Sequence, residues 1–87
     1  MSADDPAALF ARVPLGHTVV VYDGRRWGLT RTTQVGGRSQ KVWAEELGGT
    51  GTISANLYSV EGEGDTFRPC EMPAATVLDF LAGWAPA

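Results

Sequence analysis

The chain has 87 residues, 44% hydrophobic and 20% charged, which suits one small globular domain with a limited core. A single cysteine excludes an internal disulfide framework, no apolar run approaches the ~18 residues of a membrane helix, and the acidic N-terminus lacks a signal peptide's basic start and apolar centre, so a soluble cytoplasmic protein is expected. The net charge of −3 argues against non-specific nucleic-acid binding by bulk charge, yet five of the seven basic residues (Arg25, Arg26, Arg31, Arg38 and Lys41) fall between positions 24 and 44, a stretch with no acid that also holds Trp27 and Trp43.

Residues 1–16 read as an N-terminal segment, partly flexible or forming a short helix over 6–12 with Asp5 as cap and Pro6 at the first helical position. Residues 17–87 read as a single α+β domain. The β-branched run His17–Tyr22 predicts a strand, and Asp23-Gly24 a hairpin turn. A second strand is expected over 26–35, a turn at Gly36-Gly37, a third strand over 38–47, a loop at 48–51 and a fourth strand over 52–60. The acidic, Gly-rich stretch 61–65 reads as a flexible loop, after which Thr66–Arg68 is a candidate short edge strand. A helix is expected from Pro73 to about Gly83, with Val77, Phe80, Leu81 and Trp84 on one apolar stripe. These elements predict an α+β fold: a four-stranded antiparallel meander with the C-terminal helix packed on one face.

Register sorts the faces. A two-residue turn at Gly36-Gly37 sets Leu29 opposite Ala44 and Thr30 opposite Trp43. A four-residue loop at 48–51 sets Val42 opposite Leu57 and Lys41 opposite Tyr58. Side chains alternate across a strand, so one face collects Trp27, Leu29, Val42, Ala44, Ile53, Ala55 and Leu57. The other collects Arg26, Thr30, Thr32, Lys41, Trp43, Glu45, Asn56 and Tyr58. In the first hairpin, a three-residue turn would instead put Val19 and Val21 inward and Tyr22 outward.

The polar face is the leading binding surface, with Arg26, Lys41, Trp43, Asn56 and Tyr58 as its residues. Trp, Tyr and Arg are enriched where proteins meet, so a homodimer or protein partner is expected first. Aromatics flanked by cations also stack bases and pair phosphates, so single-stranded nucleic acid is the alternative. Trp43 is equally placed to cover Gly28 as ordinary surface packing. Cys70, between Pro69 and Pro73 and just ahead of a helix N-terminus, is the catalytic candidate if the chain is an enzyme, because a helix dipole lowers a thiol pKa. With one Cys and one His (His17), no zinc-ligand spacing is present, and no metal or cofactor is expected. Gly48-Gly49-Thr50-Gly51 lacks the Gly-Lys-Ser/Thr ending of a phosphate loop and reads as a hairpin connection. Glu45 and Glu46 point to opposite faces, so they cannot act as a carboxylate pair.

The run from Gly36-Gly37-Arg38-Ser39 through Ala44–Thr50, Ser54–Tyr58 and Arg68-Pro69-Cys70-Glu71-Met72-Pro73 to Val77–Leu81 resembles a group of short bacterial proteins of unknown function, some labelled peptide methionine sulfoxide reductase. That label implies a catalytic thiol, for which Cys70 is the available position. The Gly-Cys-Phe-Trp context of one reductase class does not occur in the chain. Four strands followed by a helix is also similar in order to PUR and Whirly-type single-strand-binding domains. Many Ala, Leu, Gly and Arg with a single Lys suit a GC-rich bacterial source. The expected function is a small non-enzymatic binding or protein-interaction module, dimeric, with single-strand binding and a thiol-dependent activity as the alternatives.

Overall fold

Among the described residues, six strands, not four, form one antiparallel sheet, in the order β5-β4-β3-β2-β1-β6. The computed structural model describes residues 5–60 and 64–87. The elements are α1 (Pro6–Ala11), β1 (Gly16–Tyr22), β2 (Arg25–Gln34), β3 (Ser39–Glu46), β4 (Thr52–Val60), β5 (Gly64–Pro69), α2 (Ala74–Gly83) and β6 (Ala85–Pro86). The candidate edge strand at 66–68 is thus β5, with Leu57 opposite Phe67. Its first residues come from the stretch expected as loop: Gly64 and Asp65 pair with Val60 and Ser59. The rest of that loop, 61–63, lies outside the described residues.

β6 has no periodic signature because it is only an Ala-Pro pair. It exists because α2 carries the chain across the sheet, from the β5 edge to the β1 edge, where Ala85 and Pro86 pair with Val21 and Val20. Those edges lie four strand spacings apart, roughly 19 Å. A ten-residue helix covers about 15 Å of that, and the flanking residues cover the rest. Proline suits the outermost position, since an edge strand needs no outward N–H. Pro73 sits at the cap of α2 rather than at its first helical position.

The first hairpin closes with two residues. Asp23 and Gly24 have φ of 53° and 73°, the pair of positive values that a tight, twist-compatible turn needs. Tyr22 pairs with Arg25 and Val20 with Trp27, so Val20 is buried and Val19 and Val21 face away from the helices. The β2–β3 register is as expected, with Leu29 opposite Ala44 and Thr30 opposite Trp43. The β3–β4 register is shifted by two residues: Val42 pairs with Ala55, not Leu57. The Glu46 N–H bonds the Gly51 carbonyl at 2.9 Å, which closes the loop over 47–50 instead of 48–51. A shift of two preserves every side chain's face, so the sorting survives. All seven residues assigned to the apolar face are buried.

Both helices pack on that inner face. Val77, Phe80, Leu81 and Trp84 of the α2 stripe enter the core, and Leu9, Phe10 and Val13 join them from the N-terminal segment. Asp5 accepts the Ala7 N–H as the α1 cap, and Pro6 opens the helix. Residues 6–13 are therefore part of the domain's core. Arg12 fixes the pair of helices: its Nη1 donates to the Leu81 and Ala82 carbonyls at 2.8 and 3.2 Å, and its guanidinium lies 5.2 Å from the Trp84 ring. A cation at those carbonyls complements the negative end of the α2 dipole.

Candidate functional site: the uncovered sheet face

With both helices on the inner face, no described element covers the outer one. Its residues come from odd positions of β1 and β3 and even positions of β2, β4 and β5. Trp43 and Tyr58 remain 40% and 37% exposed there.

The structure sets Lys41, Asn56 and Trp43 side by side, with Tyr58 on the same face four positions from Trp43 along the strands. Lys41 lies opposite Asn56, not opposite Tyr58, as a result of the register shift. Tyr58 lies opposite Ser39, two positions further along β4. Trp43 stands between Thr30 and Ser54. Arg26 is the exception. Its carbonyl accepts the Leu47 N–H, six positions along β3 from Lys41. That is about 20 Å from Lys41 at the rise of an extended strand, and about 14 Å from Trp43, so Arg26 stands apart from the Lys41–Asn56 pair. Nor does Trp43 cover Gly28. A Cβ on Gly28 would sit 2.9 Å from His17 Nε2 and 3.7 Å from Leu47 Cδ2, so imidazole and leucine occupy that space. Trp43 is left free on the surface.

The basic segment does not become a basic surface. Arg25 points to the inner side and pairs with Glu46 at 3.1 Å. Arg31, also on the inner side, donates to the Val13 carbonyl at 2.8 Å and to Gln40 Oε1 at 2.8 and 3.1 Å. Arg38 sits in the β2–β3 turn. Only Arg26 and Lys41 of the five reach the outer face, joined there by Arg68 from β5 opposite Asn56. Glu45 adds an acid to the same face, whereas Glu46 lies opposite Trp27 on the inner one. The Gly48–Gly51 loop is a hairpin connection that folds against the Glu46 carboxylate, the wrong charge for a phosphate cradle.

After β5 the backbone keeps pairing for one more residue, with the Cys70 N–H donating to the Ser54 carbonyl at 2.9 Å. Glu71 then turns with φ of 56°. The bend raises Cys70–Met72 into a wall at the margin of the outer face. Between this wall and β3 runs a groove of about 400 Å³. β3 contributes Lys41 and Trp43, β4 contributes Thr52 and Ser54, and the wall contributes Cys70, Glu71 and Met72. Cys70 is half-buried, and Asn56 Nδ2 donates to its sulfur at 3.4 Å. The thiol thus joins the outer face, whereas α2 packs on the inner one. Among the described residues, no three of His, Cys, Asp and Glu gather to hold a metal ion. No described helix is long and apolar enough to cross a membrane.

Thr52, Ser54 and Met72 were not candidates from the sequence, and Glu71 was one only as a member of a carboxylate pair. Alternation with Ile53 and Ala55 does place Thr52 and Ser54 on the outer face. The bend that sets Glu71 and Met72 beside them has no sequence periodicity to reveal it. Comparison of the chain with protein families, curated proteins and solved structures found no match.

Proposed function

We propose that this chain is a small non-enzymatic binding module that pairs with a second copy of itself through the outer face of its sheet. The observation that carries this is the exposure of Trp43 and Tyr58 on a face that neither helix covers. Aromatic side chains offer large contact area at low entropic cost and are concentrated at the centres of interfaces. Nucleic acid is the weaker reading because Arg25 and Arg31 are engaged within the fold and Arg26 stands six positions along β3 from Lys41. A thiol-dependent, reductase-like activity has less support still. The group in hydrogen-bond contact with Cys70 is a neutral amide, not an imidazole or ammonium that would hold a thiolate.

Sedimentation of the purified protein tests the proposal. A dimer is expected without any added ligand, and Trp43→Ala should shift it toward monomer. A monomer at high micromolar concentration that binds single-stranded oligonucleotides with steep salt dependence would replace this function with the nucleic-acid one. Methionine sulfoxide reduction that disappears in Cys70→Ser would replace it with the enzymatic one.

A further inference from the structure

The groove between Trp43 and the Cys70–Met72 wall has a chemistry of its own. Its size, about 400 Å³, falls among small-molecule sites, which run from ~300 to 1,000 Å³. It joins an indole and a thioether, both favourable neighbours for an aromatic ring. Lys41 lines the groove from the β3 side and Glu71 from the opposite wall, so one cationic and one anionic residue border it. Ser54 lies in the same groove with only 7% of its surface exposed.

We propose that the groove binds a free α-amino acid with an aromatic side chain, its carboxylate toward Lys41, its ammonium toward Glu71 and its ring against Trp43. Opposite charges on the two walls select a zwitterion. A simple anion would meet Glu71, a simple cation would meet Lys41, and an internal peptide residue would offer both only neutral amides. The inference rests on the outer face being where this chain binds and names a small ligand for it; because both would use Trp43, ligand and second copy compete, and bound phenylalanine should raise the monomer fraction.

The test uses the full chain, labelled with nitrogen-15 and titrated with L-phenylalanine, N-acetyl-L-phenylalanine and L-phenylalaninamide. The three tryptophan indoles report separately. Trp27 Nε1 donates to the Tyr22 carbonyl and Trp84 is buried in the core, so neither should move. The Trp43 indole resonance should shift with phenylalanine. Each blocked probe should bind about two- to fivefold more weakly, the range of an exposed ion pair. Lys41→Gln should abolish the discrimination against the amide, and Glu71→Gln the discrimination against the N-acetyl probe. Both residues are exposed, so both variants should fold. Equal affinity for all three probes, or no movement of Trp43 up to the solubility of phenylalanine, would overturn the inference. Sedimentation of the same samples separates this from pairing. A dimer whose Trp43 resonance does not respond refutes the ligand alone. A monomer with the charge-dependent response keeps the ligand and removes the dimer.

Discussion

The two faces of this sheet are made by the same strands, yet one is closed by other elements and the other is not. On the inner face, every apolar side chain meets another from α1, α2 or a neighbouring strand, down to the edge-to-face contacts of Phe80 with Trp27 and Tyr22 at centroid distances of 5.1 and 4.8 Å. The outer face is open. It holds Trp43 and Tyr58 among hydroxyls and charges, with a groove at one margin. The contrast teaches that hydrophobic patterning accounts for stability on one side only. Whatever the molecule binds is to be sought where the pattern leaves aromatics with nothing to cover them.

The largest expected effect tests the difference between the faces directly. Leu57→Ala and Leu81→Ala each remove a fully buried side chain from the sheet–helix contact and should cost about 2–5 kcal/mol. Thr32→Ala, on exposed outer-face surface, is the matched control and should stay within ~0.5 kcal/mol. Denaturant midpoints measure all three, and the reverse order would mean that the faces have been exchanged.

A smaller effect of opposite sign is expected at the end of the sheet, where neither face governs. Val35 sits in the β2–β3 turn with φ of 55° and is 70% exposed, so a β-branched residue holds a left-handed conformation with little packing in return. Val35→Gly should stabilise the protein by about 0.5–1 kcal/mol, the relief of strain exceeding the added entropy of the unfolded chain. A lower thermal midpoint in this variant would show that the Val35 side chain makes contacts worth more than the strain.

The smallest effect sharpens the account of the outer face. Gly28→Ala places a methyl group where the His17 imidazole now lies. Because His17 is exposed, its ring should swing aside, leaving stability within ~0.5 kcal/mol while the imidazole resonances shift. A loss of several times that size would mean that His17 and Leu47 form a packed lid over β2 and that the outer face is less open than Trp43 suggests.

The assignment of side chains to faces was legible in the sequence because it depends on alternation, which is a local property with a period of two residues. That is why all seven expected inner residues are buried even though the β3–β4 alignment differs by two positions. The Asp23-Gly24 turn signal, the Asp5-Pro6 helix start and the Val77–Trp84 stripe are equally local, and each recurs in the structure. The extent of the sheet was not legible in this way. β6 is two residues without pattern, and it pairs only because α2 delivers it to the free edge of β1. The candidate site was half legible: Lys41, Trp43, Asn56 and Tyr58 do share a face, but which of them are neighbours depended on where the Glu46–Gly51 bond closes a loop. The separation of Arg26 from Lys41, the engagement of Arg25 and Arg31 within the fold, the contact of Cys70 with Asn56 and the groove beside Trp43 all required the chain to close on itself. These are contacts between distant positions, settled by the packing of whole elements, whereas a short window of sequence carries only the periodicity of its own strand or helix.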